Sequence, residues 1–387
     1  MHLERFAYNH QAVLAEPTLP PDPKAYVVAL IPAHNEEESI KATIGSLLVQ
    51  TRVPNKIVVI ANNCDLDDRT HEYASSFPEV TAIEVSFPER THCKSRALNL
   101  AWSKNASDAD IVVCIDADTE LPSNAIEDWM GEFYADPRLG GSSSKFTMLG
   151  NKLIVQVQRA EFAKWTDTSL RRGWTSVLAG TGCAIRGDTL RLAAASSNNT
   201  DGPWCYTSLV EDFELTYRIR NAGYLCHVSP TVRAYTDAMD TATALWSQRM
   251  KWQVGTVSDL TAIGFNRMTA LDWGQQALGL FQAFIRFGLV LFTLSAIAMQ
   301  VFVWNWYWLL FPVFFALAEL PFAWRIPHKT WRDITTAAWL MPQELFAYMR
   351  ASWFVAAWIE TIQSRRSNTK KDWWAIQSIS EAKGVLK

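Results

Sequence analysis

Two carboxylates separated by one residue follow a run of apolar residues in the first third of the chain. Asp116 and Asp118 come directly after Ile111–Ile115. The apolar run predicts a buried strand of a parallel sheet, and ligands of open α/β sheets sit at the carboxyl ends of strands. Adjacent carboxylates repel each other unless a cation lies beside them. The pair therefore favours a hard divalent cation that holds a phosphate group.

The same Asp-x-Asp pattern also occurs in solvated loops that follow strands. A metal site and a polar loop explain Asp116 and Asp118 equally well when the two residues are considered alone. The segments around them must decide which interpretation holds.

Strand-like and helix-like patterns alternate through the first part of the chain, after a proline-punctuated N-terminal arm at 1–25. The predicted strands are Tyr26–Ile31, Lys56–Ile60, Val80–Val85 and Ile111–Ile115, and the predicted helices between them are Glu36–Gln50, Asp67–Phe77 and Lys94–Trp102. This alternation predicts a mostly parallel, doubly wound α/β sheet, which binds a nucleotide across its strand ends.

The pattern becomes mixed after Asp118. A glycine-containing turn is predicted at 180–187, an exposed loop at Ser196–Cys205, and a helix at Glu211–Arg220. The helix carries Glu211 and Asp212 at its N-terminal end, where acids complement the helix macrodipole. That structural role is an alternative to a catalytic one for both acids.

The last third of the chain is strongly apolar. The segments 277–303 and 304–324 each reach the ~20 residues that a membrane-spanning helix needs, so they predict a hairpin; two buried helices of a soluble protein are the alternative. Basic residues lie before and after the hairpin, which by the positive-inside rule places both ends and the preceding domain in the cytoplasm. The segment 334–362 is apolar but interrupted by charges and is interpreted as an interfacial helix.

Composition limits the classes of function. The net charge of −3 gives no indication of a nucleic-acid partner. The chain has 18 tryptophans, many of them beside the late apolar runs, as in a membrane-interface belt. Its six cysteines form no Cys-x-x-Cys pair, which favours reduced thiols over zinc or disulfides.

An ordered set of motifs resembles the inverting family-2 glycosyltransferases, and among them the membrane-bound synthases of the cellulose, chitin and hyaluronan type. The resemblance covers residues 26–255 and implies a GT-A-type domain at 26–260, followed by a membrane-associated region at 261–387. The residues that carry it are Pro32, Ala33, Asn35, Glu36, Asn63, Lys94, Asp116, Asp118, Gly180, Thr181, Gly182, Glu211, Asp212, Gln248, Arg249, Lys251 and Trp252.

The resemblance implies a role for each group of residues. Asp118 would hold Mg²⁺ or Mn²⁺ against the leaving diphosphate, with Asp116 on the nucleotide, and Asp212, beside Glu211, would be the general base. Pro32, Ala33, Asn35, Glu36, Asn63 and Lys94 would contact the nucleotide sugar. Gly180, Thr181, Gly182, Gln248, Arg249, Lys251 and Trp252 would contact the acceptor or the diphosphate.

Three positions depart from the family pattern. Lys251 stands where an arginine usually precedes the tryptophan, and lysine lacks the planar fork that grips a diphosphate. Cys93 replaces a common glycine, and Asn62 replaces an acid after the second strand. The first departure makes processive polymer synthesis uncertain.

The sequence thus predicts a membrane-bound enzyme that moves a sugar from a nucleotide sugar, UDP-linked, to a hydroxyl of a saccharide, lipid or protein. Its expected partners are the donor, the acceptor and the lipid bilayer, without nucleic acid. Two alternatives remain: addition of a single sugar to a lipid or protein, and a catalytically silent membrane protein that only binds sugar nucleotides.

Overall fold

A computed structural model of the chain describes residues 24–88, 93–197, 201–367 and 371–385. The predicted N-terminal arm lies outside these residues except for its last two. The described chain divides into two compact units. The first comprises the residues up to Thr147 together with Thr166–Asp237, and the second comprises Met148–Trp165 and the residues from Ala238 onward. The domain boundaries predicted from the sequence stay a prediction.

A mixed eight-stranded sheet with the order β3-β2-β1-β4-β7-β6-β8-β5 forms the first unit. Its strands are β1 (Val27–Ala33), β2 (Lys56–Asn62), β3 (Val80–Val85), β4 (Ile111–Cys114), β5 (Thr119–Glu120), β6 (Leu139–Met148), β7 (Cys183–Arg186) and β8 (Leu225–Thr236). Strand β1 pairs in parallel with β2 and β4, and β2 pairs in parallel with β3. The four predicted strands therefore form the predicted parallel half, and the GT-A-type fold class is confirmed.

The other half of the sheet contains antiparallel pairs. Strand β7 pairs antiparallel with both β4 and β6, and β5 pairs antiparallel with β8. The helices that connect the strands of this unit are α1 (Ile40–Leu48), α2 (Thr70–Ser75), α3 (Cys93–Asn105), α4 (Ala125–Ala135), the end of α5 (Leu153–Arg172), α6 (Gly187–Ala195) and α7 (Glu211–Asn221).

Both faces of β1, β2 and β4 are buried, which explains why their sequences read as continuous apolar runs. On one face, Val28, Leu30 and Val58 pack in a core cluster that includes Ala97 and Leu98 of α3. Burial of both faces fixes the strands, and the chain leaves the sheet in polar turns at their carboxyl ends.

Helices make up the second unit. They are the start of α5, then α8 (Ala242–Ile263), α9 (Ala270–Ala298), a 3₁₀ turn (Trp306–Leu309), α10 (Leu310–Ala323), α11 (Trp331–Ala338), α12 (Leu340–Ser367) and α13 (Trp373–Val385). Helix α8 packs against α12 and α13, and α9 packs against α12. The predicted interfacial helix at 334–362 is thus divided between α11 and α12.

Two segments of the second unit are long and apolar enough to cross a membrane, Ala270–Ala298 and Trp306–Ala323. Their most apolar stretches have mean hydropathies of 1.8 and 1.5, and only 6% of the residues in each are buried. A buried core helix of a soluble protein would hide most of its side chains. The high exposure therefore favours the predicted membrane hairpin over the soluble alternative.

A partly buried carboxylate on α4 forms hydrogen bonds with the antiparallel half of the sheet. Glu132 accepts hydrogen bonds from Ser142 Oγ (2.5 Å) and Ser229 Oγ (2.6 Å), and its Oε2 lies 2.9 Å from His227 Nε2. Burial acts to raise the pKa of Glu132, but the bonds from His227, Ser142 and Ser229 together outweigh burial and lower it. Glu132 therefore stabilises the fold in its ionised form.

Replacing Glu132 with Gln should lower the free energy of unfolding at pH 7 by about 2 kcal/mol, because hydrogen bonds to a charged group are lost. The ionised group stabilises the fold above its ordinary pKa of 4.5. That contribution disappears as the pH falls through the lower folded value, so the difference between the two proteins should shrink below about pH 4.5. Denaturant unfolding across pH measures it. Glu127→Gln, an exposed site on the same helix, is the control, and a pH-independent difference would contradict the charge role.

Candidate active site

A lysine surrounded by carboxylates lies at the carboxyl end of β4. Lys94 Nζ donates to Asp116 Oδ1 (2.6 Å) and lies 3.5 Å from Glu211 Oε1. Burial acts to lower the pKa of Lys94, but Asp116, Glu211 and Asp212 outweigh it and raise it. The lysine therefore stays protonated and joins three segments that are distant in sequence: the start of α3, the turn after β4, and the start of α7.

Asp212 follows Glu211 in the first turn of α7. Its Oδ1 accepts a hydrogen bond from the backbone N–H of Phe213 (2.8 Å). Burial and then the neighbouring Glu211 raise the pKa of Asp212 to about 7, against the opposing effect of Lys94. A carboxylate with that pKa takes up a proton more readily than an ordinary aspartate does, which suits a general base.

Asp118 lies on the other side of Asp116 in the same turn. Within the described residues, Asp118 accepts hydrogen bonds from Thr119 Oγ1 (3.1 Å) and Thr236 Oγ1 (3.4 Å), and both end on Oδ1. Burial, then Asp116, raises the pKa of Asp118 to about 7, and Asp237 contributes in the same direction. Asp118 thus lies near other acids whose negative charge the effect of Lys94 does not offset.

Asp237 is the site residue that the sequence analysis missed. It follows β8, and the pairing of Thr236 with Thr119 places it across from Asp118. Burial and then Glu38 raise its pKa. The signal available in the sequence was an acid directly after the alternating segment 225–236, but that segment was not predicted to be a strand.

The acidic turn can accommodate a divalent cation, since Asp118 keeps one oxygen free of hydrogen bonds from the described residues and lies between like charges. Oxygen ligands of this kind suit Mg²⁺ and Mn²⁺. Within the described ranges, no group of three or more His, Cys, Asp or Glu side chains is arranged closely enough to hold a metal by itself. The remaining ligands would therefore come from water or from phosphate oxygens.

Gly180 and Gly182 border the lysine–carboxylate cluster. A Cβ atom added at Gly180 would lie 2.7 Å from Lys94 Nζ and 3.2 Å from both carboxylate oxygens of Asp116. Gly182 has a φ of 147°, which a side chain rarely allows. Thr181 lies between them, with its Oγ1 buried and free of hydrogen bonds from the described chain. A side chain at Gly180 would therefore collide with Lys94 and Asp116, and the predicted contact of Gly180, Thr181 and Gly182 with the acceptor or diphosphate stays a prediction.

A cavity opens beside these residues and is lined by Lys94, Asp116, Gly180, Trp204, Glu211 and Asp212, among others. Trp204 is only 3% exposed, and the carbonyl and N–H of its backbone bond to the side chain of Asn99 (2.8 and 2.9 Å). The prediction of an exposed loop at Ser196–Cys205 was therefore wrong at Trp204. The apolar indole is buried against α3, which local composition did not reveal.

The predicted nucleotide-contacting residues lie at the ends of β1 and β2. Pro32 and Ala33 end β1. Asn35 and Asn63 both have left-handed backbones (φ 56° and 51°), which asparagine tolerates. The Asn35 side chain exchanges two hydrogen bonds with Asp65 (2.8 and 2.9 Å).

Asn63 and Glu36 also hold turns in this region. Asn63 exchanges two hydrogen bonds with the backbone of Phe87 (2.9 and 3.1 Å). Glu36 donates its N–H to Thr70 Oγ1 (2.7 Å) and accepts a bond from Ser39 Oγ (2.8 Å). The side chains of Asn35 and Asn63 therefore fix the turns that follow β1 and β2, and their predicted contact with the nucleotide stays a prediction.

The last predicted motif lies on α8, in the second unit: Gln248, Arg249, Lys251 and Trp252. Arg249 is buried and bonds to Glu161 (3.0 Å). Its guanidinium lies over the rings of Phe162 (4.8 Å) and Trp252 (4.6 Å). Arg249 thus contacts residues of its own unit, and its predicted contact with the diphosphate stays a prediction.

The mixed α/β sheet, with its acidic turn after β4, defines a glycosyltransferase domain of the GT-A type. The chain belongs to glycosyl transferase family group 2, whose family model matches residues 111–322, more than half of the chain. The model of glycosyl transferase family 2 matches residues 28–186. These matches confirm the predicted family and enzyme class.

Two named proteins are similar to this chain in sequence. "Probable glycosyltransferase YdaM" of Bacillus subtilis is 26% identical over 239 residues, 59% of this chain and 54% of YdaM. Poly-beta-1,6-N-acetyl-D-glucosamine synthase of Staphylococcus aureus is 26% identical over 230 residues, with the same coverage. The chain therefore spans about half the length of the curated relatives that it matches.

Among solved structures, a mannosyltransferase from Pyrobaculum calidifontis, in complex with GDP-Man and Mn²⁺, matches 93% of this chain and 92% of its own. The TM-score is 0.52 and the sequence identity 16%. At this identity, the match supports the fold.

Proposed function

We propose that this protein is a membrane-associated inverting glycosyltransferase that moves a sugar from a UDP-linked donor to an acceptor hydroxyl. The observation that carries the proposal is the grouping of Lys94, Asp116, Glu211 and Asp212 around one cavity at the carboxyl end of β4. A protein that only bound nucleotide would need no carboxylate with a raised pKa, such as Asp212, beside the turn that contains Asp116 and Asp118.

Asp212 is the proposed general base. Its carboxylate removes the proton from the acceptor hydroxyl as the oxygen attacks the anomeric carbon, and the nucleoside diphosphate leaves from the opposite side. A pKa of about 7 places the group near the operating pH, where a general base is most effective. Glu211 holds the charged end of Lys94 and thereby keeps the cavity ordered.

Lys94 and Asp116 lie on the donor side of the reaction. The ammonium of Lys94 favours an anionic phosphate, while Asp116 orients that ammonium through the bond of 2.6 Å. The turns containing Pro32, Ala33, Asn35, Glu36 and Asn63 supply backbone edges at the neighbouring strand ends, where nucleotides bind in open α/β sheets.

Asp118, together with Asp116, would hold Mg²⁺ or Mn²⁺. A divalent cation there neutralises negative charge on the diphosphate. The support from this chain is the uncompensated charge and the free oxygen of Asp118. Asp237 lies across the strand pair and adds to the negative potential that attracts a cation.

The proposed acceptor is a hydroxyl of a saccharide. The name of the Staphylococcus relative, a poly-N-acetylglucosamine synthase, supports a saccharide acceptor, and a lipid or protein hydroxyl is the alternative. Gln248, Lys251 and Trp252 keep their predicted acceptor and diphosphate roles. Lys251 in place of arginine favours addition of one sugar over processive synthesis.

The membrane location rests on α9 and on the segment Trp306–Ala323, whose apolar side chains are exposed. Basic residues follow the second segment at Arg325, Lys329 and Arg332. By the positive-inside rule, these basic residues support a cytoplasmic location of the catalytic unit.

Asp118→Asn should remove most of the gain in UDP affinity that Mn²⁺ confers. Loss of a ligating carboxylate should weaken metal-dependent binding roughly tenfold to a hundredfold, a range also seen when a residue that only hydrogen-bonds a metal ligand is changed. Calorimetric titration of UDP with Mn²⁺ and with EDTA measures the gain. Asp110→Asn, directly before β4 and thus at the opposite end of that strand, should keep the gain in affinity. An equal loss of affinity in EDTA would remove the metal role from Asp118.

Asp212→Asn should leave folding and UDP affinity intact, because asparagine can still accept the N–H of Phe213. Sugar transfer should fall by ~10²–10⁴-fold, the usual cost of losing general-base assistance. Nucleoside diphosphate release, UDP affinity and melting temperature are measured on one preparation. Glu214→Gln changes another acid of the same helical turn, which pairs with Arg218, and should alter stability without such a loss of transfer. Near-normal transfer by Asp212→Asn would remove Asp212 from the general-base role, whereas absence of transfer by the unmodified protein would favour the silent-binder alternative.

Full-length protein should remain with the membrane fraction in high salt and be released by detergent. A double substitution at exposed positions of the apolar helices, Leu291→Glu with Phe314→Glu, should weaken that retention. Each charge at the bilayer centre costs about 2.5–3.5 kcal/mol on insertion scales. Leu66→Glu, at a fully exposed site of the first unit, is the control. Release of the unmodified protein by salt alone would exclude membrane insertion.

A further inference from the structure

Two cysteines face each other across the strands that border the candidate active site. Cys114 ends β4, Cys183 begins β7, and the two are direct partners in the antiparallel pairing. The N–H of Gly187 donates to the carbonyl of Asp110 (2.8 Å). Because hydrogen-bonded pairs recur every second residue, Cys114 and Cys183 also form such a pair, with Cα atoms ~5.5 Å apart.

That spacing suits a disulfide. Disulfides occur at Cα separations of about 4.4–6.8 Å, most often near 5.5–6 Å. Directly opposed residues of an antiparallel pair project their side chains to the same face of the sheet. The Cβ atoms of a hydrogen-bonded pair lie about 5.5 Å apart, whereas a disulfide needs about 3.5–4.5 Å, so a bond between the two sulfurs keeps the strand register but draws the two strands together by about 1 Å.

The two thiols already interact, and both line the cavity that contains Asp116 and Asp212. A hydrogen bond between the thiols, followed by burial, raises the pKa of Cys183 well above its ordinary value. Cys114 and Cys183 are 6% and 2% exposed. This burial excludes bulky thiol reagents, and the raised pKa slows the reaction of the pair with a small oxidant that enters through the cavity.

We propose that Cys114 and Cys183 form an oxidation site for hydrogen peroxide, at which a disulfide forms and lowers sugar transfer. One thiol attacks the peroxide and becomes a sulfenic acid, with release of water. The second thiol then attacks that sulfur and displaces a second water, so that two thiols and one peroxide yield one disulfide and two waters. A thiol reductant reverses the reaction.

The effect on transfer rests on the proposed function. Cys114 precedes Asp116 by two residues, and Cys183 directly follows Gly182. A covalent link draws together the ends of β4 and β7, from which both the carboxylate and the glycine turn emerge. Displacements of about 1 Å at a reacting centre can cost 10²-fold in rate.

The test treats reduced, full-length protein with hydrogen peroxide, blocks the remaining thiols and analyses the peptides by mass spectrometry. A linked peptide pair containing Cys114 and Cys183 is expected, lighter by two hydrogen atoms. Nucleoside diphosphate release should fall roughly tenfold or more and return after treatment with dithiothreitol. Bond formation without loss of transfer would overturn the regulatory part of the proposal.

Three variants complete the test, each compared with its own untreated rate. Cys114→Ser and Cys183→Ser should form no linked pair and resist peroxide. Cys226→Ser, which alters another buried cysteine of the same core cluster, should respond as the unmodified protein does. Inactivation that persists in both of the first two variants, or absence of the linked peptide from oxidised unmodified protein, would overturn the proposal. Absence of any transfer by reduced protein would instead contradict the proposed function, since the mass measurement does not depend on activity.

Discussion

The bond between Lys94 and Asp116 is the interaction on which the site depends. It joins α3 to the turn after β4, and Glu211 extends the network to the start of α7. Carboxylates in this cluster exceed the lysine in number, so burial is tolerated only because the ammonium lies among them. Burial, and then this excess of negative charge, raises the pKa values of Asp118 and Asp212. The same excess favours a proton on Asp212 and, under the proposed function, a cation at the turn.

Much of this arrangement could be predicted from the sequence because its parts are local. The segment at Ile111–Ile115 is apolar on both faces, so it reads as a buried strand without any tertiary information. Asp116 and Asp118 follow directly, and parallel pairing then brings the ends of β1, β2 and β4 to one edge. The order of the motifs supplied the family, which the family models confirm.

The parts that escaped prediction depend on contacts between distant segments. Asp237 meets the turn only because β8 pairs with β5 across more than a hundred residues. The backbone of Trp204 hydrogen-bonds to Asn99, which is 105 residues away, and the indole packs in the core cluster that includes Ala97 and Leu98. The turn roles of Asn35 and Asn63 follow from left-handed backbones that the residue type permits but does not require. Local sequence patterns do not indicate contacts between segments that are so far apart in the chain.

The discontinuous second unit has a consequence for synthesis of the chain. Three charges in its first segment pair with later helices: Arg159 with Asp333, Glu161 with Arg249, and Lys164 with Glu319. The partners of Arg159 and Glu161 are 174 and 88 residues further along, so the ribosome delivers them long after the segment has emerged. Until then, these side chains remain hydrated, while the sheet up to β8 is already complete in sequence. Translation thus supplies the whole sheet before either apolar helix leaves the ribosome, and the second unit can be completed only after both helices have been made.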